Sequence, residues 1–404
     1  RALMGSERYD KMASALLEEP PVSLRLNPFK TLSGITEVCN ADGQVPWASN
    51  GFYLSGRPNF TFDPLFHAGT YYVQEASSMF VAWIVSQLIH IPITMLDLCA
   101  APVGKSTALR SVLPKGSLLF CNEPMPQRSN ILAENVQKFG HPDMVVTNNF
   151  AADYRKSGLQ FDVILADVPC SGEGMFRKDA GAIAEWSETN VEHCWRLQRE
   201  IISDIWSCLK PGGLLIYSTC TFNDKENERN VEWIEQEFGA DFDLPPIPYE
   251  WNITGSIGSD IPACRFIPGL SKGEGLFLCV LRKRHEHHLS REERIKHPSK
   301  NIPTKPKMPD IPQWLKADYD CSIRLINSNI YAIRNQWVSV FDKACEALRI
   351  VHAGVGLATS KGKDLIPHPA LALSIALADG AFTQCELDYS SAIAFLRREA
   401  IALP

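Results

Sequence analysis

The feature that most constrains the fold is an alternation of short apolar runs with longer amphipathic stretches between about residues 85 and 284. One amphipathic stretch is predicted to be a helix from about Ser187, a suitable N-cap, to Lys210, just before Pro211-Gly212-Gly213. This alternation predicts an α/β fold whose mostly parallel sheet is covered by helices on both faces. The apolar runs read as buried strands and are MLDLC (95–99), SLLFCNE (117–123), MVVTN (144–148), FDVILAD (161–167) and GLLIYST (213–219).

The loop CAAPVGKST (99–107) follows the first of these strands, where a parallel sheet binds ligands. Its Gly-Lys-Ser ending is typical of a P-loop, but a P-loop needs glycine where Cys99 stands. Glu123 ends the next strand, and an acid there accepts hydrogen bonds from ribose hydroxyls. NAD would require a Gly-x-Gly-x-x-Gly motif, which is absent. The pattern therefore favours S-adenosylmethionine over ATP or NAD.

Two cysteines follow neighbouring strands at the same edge of the predicted sheet. Cys170 lies three residues after Asp167, and Cys220 follows Ser218-Thr219. A lone cysteine at a strand end is usually a buried thiol, but two on one rim beside a cofactor loop suit covalent catalysis. Cytosine C5 is a poor nucleophile until a thiolate adds to C6, and an acid such as Asp167 at N3 assists that addition. The base must be unstacked to reach such a site.

The rest of the sequence says less about the class of protein than these motifs do. The twelve cysteines include no Cys-x-x-Cys pair, so no metal site is expected. The net charge of −6 gives no support for a nucleic-acid partner, although residues 282–307 hold nine Lys and Arg against three Glu. That segment reads as a solvated linker or as a basic strip that contacts phosphates. We find no apolar run that would span a bilayer and no signal-peptide core, so cytoplasmic localisation without a membrane partner is expected.

The motifs together resemble the NOL1/NOP2/Sun family of RNA cytosine-5 methyltransferases, and within it the bacterial small-subunit methyltransferase F group. The resemblance rests on LDLCAAPVGKST, on ADVPCSGEGMFRKD and on YSTCTFNDKENE, together with SLRLNPFK (23–30) and HAGTYYVQEASSMF (67–80) nearer the start of the chain. It implies a Rossmann-like S-adenosylmethionine-dependent methyltransferase core with a smaller N-terminal α+β domain and a C-terminal α+β RNA-binding domain.

The resemblance also implies roles for individual residues. Cys220 is expected to be the nucleophile, Cys170 to assist product release, and Asp167 to contact both the cytosine and the cofactor. Glu123 is expected to bind the ribose, and Arg128 to support cofactor or RNA unless it is a plain surface residue. The methionine side of the cofactor is expected on the loop Cys99, Ala100, Ala101, Pro102, Val103, Gly104 and Lys105.

Two positions depart from the family pattern. Val103 replaces a usual glycine, and a β-branched residue does not readily adopt positive φ. The family generally has an aspartate near the adenine at about position 150, where this chain has Phe150 preceded by Asn149. Either Asn149 hydrogen-bonds the adenine or Phe150 packs on it. Both departures bear on cofactor affinity rather than on the type of reaction.

The predicted organisation is an N-terminal RNA-binding domain (1–85), a methyltransferase domain (86–284), a basic linker (285–311) and a C-terminal RNA-binding module (312–404). Arg25, Asn27 and Lys30 are expected to share one exposed, RNA-facing side of a strand. The expected partner is 16S rRNA or the small ribosomal subunit. The alternatives are a tRNA cytosine methyltransferase, a non-catalytic ribosome-assembly factor and a DNA cytosine methyltransferase. The DNA enzymes would need only the first of the two cysteines, Cys170.

Overall fold

A computed structural model describes residues 1–30, 41–285, 314–361 and 364–402 of the chain. The described helices are α1 (Ser6–Ala15), α2 (Pro64–Ala68), α3 (Ala76–Leu88), α4 (Gly104–Val112), α5 (Pro126–Phe139), α6 (Ala151–Ser157), α7 (Ala180–Glu185), α8 (Glu188–Ile205), α9 (Glu228–Phe238), α10 (Val338–Ala347), α11 (Pro369–Leu373) and α12 (Tyr389–Leu396).

Strands fall into three sheets. The strands are β1 (Val22–Leu26), β2 (Ala41–Gln44), β3 (Gly51–Leu54), β4 (Tyr71–Val73), β5 (Thr94–Asp97), β6 (Leu118–Asn122), β7 (Met144–Thr147), β8 (Phe161–Asp167), β9 (Leu209–Thr219), β10 (Ala240–Phe242), β11 (Cys264–Phe266), β12 (Leu276–Lys283), β13 (Cys321–Ile326), β14 (Asn329–Arg334), β15 (Ile350–Ala353), β16 (Val355–Lys361) and β17 (Asp364–Pro367).

The central sheet has the order β10-β12-β9-β8-β5-β6-β7-β15, and β11 pairs with β12. Strands β9, β8, β5, β6 and β7 are parallel, while β12 and β15 run antiparallel at either side. The chain leaves β5 first toward β6 and β7 and later returns to β8 and β9. The switch point of the sheet therefore lies between β5 and β8, which is where an open α/β sheet binds its ligand.

The parallel strands are buried on both faces, as their near-continuous apolar sequences predict. Met95 and Leu119 belong to the hydrophobic cluster on one face, together with Val163 and Ile216. Their neighbours Leu96 and Phe120 lie in the cluster on the other face. All six side chains are at most 1% exposed. The predicted α/β fold with helices on both faces is confirmed.

Helix α8 begins where the sequence predicts and ends earlier. Ser187 is the N-cap, and its side chain accepts a hydrogen bond from the Asn190 amide. The helix stops at Ile205, a short 3₁₀ turn follows, and β9 already begins at Leu209, so the prediction of helix to Lys210 is wrong. The Lys283 ammonium on β12 donates to the carbonyls of Trp206 and Leu209. Tertiary contacts, rather than the Pro-Gly-Gly turn, end the helix.

The first small sheet has the order β2-β3-β1-β4. The segment SLRLNPFK reads as a strand in the sequence, and β1 covers only its first part, because it ends at Leu26. Its polar side chains are not an exposed face. Arg25 and Asn27 are 4% and 2% exposed, so the prediction that they face RNA together with Lys30 is wrong. Asn27 donates to the carbonyls of Gly69 and Phe139, and Lys30 donates to Ala68 and Lys138. These side chains join the first sheet to the central domain.

The second small sheet, β13-β14-β16-β17, lies in the C-terminal part of the chain. Strand β15 from the same part pairs with β7 and extends the central sheet. The predicted basic linker falls almost entirely within residues 286–313, outside the described residues. Across the described ranges, no helix combines the length and apolarity that crossing a membrane would require.

Candidate active site

The cofactor loop predicted from the sequence links the carboxyl end of β5 to α4 at the switch point of the central sheet. The Ala100 amide donates to the Asn122 carbonyl on β6, which holds the loop against the neighbouring strand. Val103 has φ 117° and is fully buried in the core. A valine thus occupies a left-handed conformation that favours glycine, although a β-branched residue does not readily adopt positive φ.

Asp167 and Lys105 form an ion pair at the centre of this edge. The Lys105 ammonium lies 2.7 Å from Asp167 Oδ2, and Ser218 Oγ donates to Asp167 Oδ1 at 2.7 Å. Burial opposes the charge on Lys105, but the Asp167 carboxylate overrides that effect and raises the pKa of Lys105. The ammonium is therefore retained, and the carboxylate is held by two donors.

Cys170 and Cys220, which sequence reasoning singled out, lie with their sulfur atoms 3.2 Å apart. The hydrogen bond between the two thiols lowers the pKa of Cys220, and the Lys105 charge acts in the same direction. Burial and the charges of Asp167 and Glu226 oppose that shift. The bond to Cys220, together with burial and the charge of Glu226, raises the pKa of Cys170 well above its ordinary value. These two directions favour loss of a proton from Cys220 before Cys170.

A cavity of about 330 Å³ opens beside these groups. Cys220, Asp167 and Lys105 line it, as do Cys99, Ala100, Ala101, Pro102 and Gly104 of the cofactor loop. The opposite wall comes from the N-terminal part of the chain, Tyr72 to Ser78 without Ala76, and from Gly174, Met175, Lys178, Glu274, Gly275 and Leu276. The site thus combines a nucleophile, an ion pair and a space of ligand size.

Four predicted cofactor residues lie outside the lining of this cavity, namely Val103, Glu123, Arg128 and Asn149. Glu123 is 1% exposed, and its carboxylate accepts from the Met125 amide and lies 3.4 Å from Arg128. Arg128 also donates to the Ala101 carbonyl, so it braces the cofactor loop from outside. Asn149 exchanges two hydrogen bonds with the backbone of Arg349, while Phe150 is 65% exposed. Their cofactor contacts stay predictions.

Several site residues were not identified from the sequence. Asp97 ends β5 beneath the cofactor loop, and burial raises its pKa to about 7. Its Oδ1 has no hydrogen-bond partner within the described ranges. Glu75 caps α3 and accepts from the Glu274 amide across the cavity wall. Both lie in motifs that the sequence analysis quoted, so the signal was present, but its spatial meaning depended on the fold.

The comparisons with known proteins match this site. A profile described as 16S rRNA methyltransferase RsmB/F matches residues 92–282, and one described as the N-terminal domain of 16S rRNA methyltransferase RsmF matches residues 1–76. A protein of Shewanella loihica named ribosomal RNA small subunit methyltransferase F is 31% identical over 402 residues, covering 94% of this chain and 81% of that protein. The chain belongs to the ribosomal RNA small subunit methyltransferase F family. The family resemblance seen in the motifs is confirmed.

Another family relative, from Pectobacterium atrosepticum, is 32% identical over 279 residues, 65% of this chain and 56% of that protein. The match therefore spans little more than half of that relative. A solved methyltransferase homologue from Pyrococcus horikoshii superposes with TM-score 0.59 at 25% identity, over 69% of this chain and 92% of that one. NSun6 from the same organism, solved with SFG, gives TM-score 0.60 at 20% identity over 70% and 96%. The core thus has the Rossmann-like methyltransferase fold.

Proposed function

We propose that this chain transfers a methyl group from S-adenosylmethionine to C5 of cytosine in 16S rRNA, through a covalent bond between Cys220 and cytosine C6. The observation that carries the proposal is the Cys170–Cys220 pair, 3.2 Å apart beside the Lys105–Asp167 ion pair on the wall of the cavity. The choice of 16S rRNA follows the matching family, 16S rRNA methyltransferase RsmB/F.

The described residues fit S-adenosylmethionine. Cys99 to Lys105 would hold its methionine side and Glu123 its ribose, and the unpartnered, buried Asp97 Oδ1 is an acceptor for an amino group. The absence of a phosphate-binding glycine at position 99 suits a cofactor without phosphates. When bound, the cofactor supplies an electrophilic methyl group.

The protein side chains supply the remaining chemistry. The Cys220 thiolate adds to C6, which makes C5 nucleophilic. As the thiolate adds, N3 of the ring takes up a proton from solvent, and N3–H would then donate to the Asp167 carboxylate. Lys105 stabilises the negative charge on both that carboxylate and the thiolate. After methyl transfer the C5 proton must leave and the bond between Cys220 and C6 must break. Cys170, in contact with the Cys220 sulfur, is placed to assist that release.

The flanking sheets would contact the RNA around the unstacked base. The first sheet contributes Tyr72 and Gln74 to the cavity wall, so RNA reaching Cys220 passes beside it. The C-terminal part is joined to the central sheet through β15. Recognition by both parts fits an RNA in a folded context rather than a free nucleotide.

Bisulfite mapping tests this proposal. Unmodified naked 16S rRNA, assembled small subunits and tRNA are incubated with the protein and S-adenosylmethionine in parallel. Newly protected cytosines in 16S rRNA or subunits are expected, and Cys220→Ala is the matched control. Protection in tRNA alone would keep the chemistry and reject the substrate. No protection anywhere, with S-adenosylhomocysteine binding shown by calorimetry, would reject methylation and favour an RNA-binding assembly factor.

A further inference from the structure

Glu226 is a fully buried carboxylate behind the cysteine pair, and the chemistry described above does not use it. Its Oε1 accepts from Ser171 Oγ at 2.5 Å and from Asn223 Nδ2 at 2.8 Å. Its Oε2 accepts from the Ser171 amide at 3.1 Å and from Gln198 Nε2 at 2.7 Å. Four hydrogen bonds therefore fix both oxygens.

None of these donors carries a positive charge. Within the described ranges, no Lys, Arg or His comes within ion-pair distance of Glu226. Glu228, two residues further on and equally buried, is different, because Arg265 donates to both of its oxygens at 2.6 Å. Burying a carboxylate without a cation costs free energy that four neutral hydrogen bonds only partly offset. A buried charge kept at this cost points to a use for the charge itself.

The hydrogen bonds of Glu226 join the two loops that carry the cysteines. Ser171 directly follows Cys170, and Asn223 lies in the loop that follows Cys220. The same junction contains a hydrogen bond between the hydroxyls of Ser171 and Thr221 at 2.9 Å. Removing the carboxylate would therefore loosen Ser171, the residue next to Cys170, while the bonds that Glu173 and Gly174 make to the Cys220 loop remain. The contact between the sulfur atoms depends on the position of both loops.

We propose that Glu226 is a positioning residue that clamps the Cys170 loop to the Cys220 loop and holds the proton on the Cys170 thiol, so that Cys220 carries the thiolate. The assignment of Cys220 as nucleophile rests on the proposed function. The division of the proton between the two thiols does not, because it follows from the surroundings of the resting protein.

The charges around the two thiols are asymmetric. Asp167 raises and Lys105 lowers the pKa of Cys220, and Glu226 raises the pKa of both thiols. The Glu226 carboxylate lies on the Cys170 side of the pair, because it accepts two hydrogen bonds from Ser171. The buried Tyr217 hydroxyl donates to the Glu226 carbonyl and adds no charge. A negative charge near Cys170 opposes a second negative charge there, while the Lys105 ammonium favours one on Cys220. The proton therefore belongs on Cys170.

The test compares Glu226→Gln, which removes the charge but keeps the shape, with Glu226→Asp, which keeps the charge. Glu228→Gln is the matched control, a buried carboxylate whose partner is Arg265. Iodoacetamide alkylation is followed from pH 6 to 10, and peptide mass spectrometry reports Cys170 and Cys220 separately. Multiple-turnover methylation and the melting temperature are measured on the same proteins.

In Glu226→Gln we expect alkylation of Cys170 relative to Cys220 to rise at least about fivefold, with its pH midpoint about one unit lower. Turnover should fall more than about tenfold. Glu226→Asp should keep the wild-type alkylation ratio while losing turnover, and Glu228→Gln should change only the melting temperature. An unchanged ratio in a folded Glu226→Gln protein would reduce Glu226 to a structural role and overturn the proposal.

A second variant tests the proposal if Glu226→Gln does not fold. Ser171→Ala removes one hydroxyl of the clamp and keeps the charge, and we expect turnover at least about threefold slower with the wild-type alkylation ratio. In the wild-type protein Cys170 must stay unreactive at a pH at which Cys220 reacts. Equal reactivity of the thiols, or normal turnover in Ser171→Ala, would refute the proposal. If no RNA is methylated, alkylation still shows which of the two thiols holds the proton. A failure of the proposed function can therefore be told apart from a failure of this proposal.

Discussion

Loss of the Cys220 thiol and loss of the Cys170 thiol should have different effects, because only Cys220 lies beside Lys105. Cys220→Ala removes the atom that bonds to C6, so methylation should fall more than about 10³-fold. The cofactor loop is untouched, and S-adenosylhomocysteine affinity should stay within about twofold by calorimetry. Substantial methylation by Cys220→Ala would show that another group is the nucleophile.

Cys170→Ser should act later in the reaction. The serine hydroxyl is a much weaker acid than a thiol and does not ionise near neutral pH, so it transfers protons poorly. Release of the methylated base should therefore slow while C6 addition continues. A stable protein–RNA adduct should accumulate, visible as a slower band on denaturing gels, and it should be absent from the Cys170→Ser/Cys220→Ala double variant. Normal turnover without an adduct would leave Cys170 a purely structural thiol.

The left-handed backbone conformation of Val103 should cost folding free energy, and substitutions at this position can measure that cost. At ordinary buried positions glycine is less stable than alanine by about 1 kcal/mol, because it loses more backbone freedom on folding. At φ 117° the Cβ atom itself is strained, so Val103→Gly should be more stable than Val103→Ala by about 1 kcal/mol in urea unfolding. Val136, equally buried within α5, is the control and should show the opposite order. The same order at both positions would mean that Val103 is not strained.

At the scale of elements, the sequence predicts strands better than the ends of helices. Each parallel strand is signalled by a short apolar run that must be buried on both faces, and all five were found. The end of α8 depends instead on Lys283 of β12, which lies 77 residues away from Trp206 and satisfies its carbonyl. The burial of Arg25 was missed for the same reason, since alternation within one strand does not reveal which neighbour covers its polar face.

Strand β15 contains a histidine that makes its attachment sensitive to pH. His352 is 3% exposed and contacts Gln137 on α5, and burial, with a smaller effect of His368, lowers its pKa to about 3. Protonation therefore favours the unfolded chain, whose histidine has a pKa near 6.5. The contribution to stability is complete above that pH and is lost as the pH falls toward 3.

The consequence is measurable between pH 7 and 5. Relative to the value at pH 7, the wild-type free energy of unfolding should fall by about 2 kcal/mol more at pH 5 than that of His352→Gln. The histidines His141 and His368 remain in both proteins, so the difference isolates His352. His193→Gln, at an exposed site on α8, should follow the wild-type curve. Parallel curves for wild type and His352→Gln would show that the position is hydrated when folded.

At the scale of the whole molecule, the cavity is built by parts of the chain that are distant in sequence. Motif spacing identified the catalytic rim, because its residues follow consecutive strands. It did not reveal the opposite wall, because Tyr72 to Ser78 belong to β4, to α3 and to the turn between them, and these elements reach the rim through tertiary packing. Arg25 contributes to this packing. Its guanidinium donates to Gln74 Oε1 at 2.8 Å, to Ser111 Oγ at 3.0 Å and to Thr107 Oγ1 at 2.5 Å.

Arg25→Met should therefore affect both stability and the cavity. Methionine fills much of the space but leaves the three acceptors without their donor, so the free energy of unfolding should fall by about 2–4 kcal/mol in urea. Gln74 lines the cavity and loses its anchor, so S-adenosylhomocysteine should bind at least about threefold more weakly at a temperature where the variant is folded. Arg57→Ala, which changes an exposed arginine after β3, should alter neither quantity.

Loss of stability with unchanged affinity would mean that the first sheet supports the fold but does not shape the site. Unchanged stability would mean that the hydrogen bonds of Asn27 and Lys30, rather than those of Arg25, hold the first sheet against the central domain.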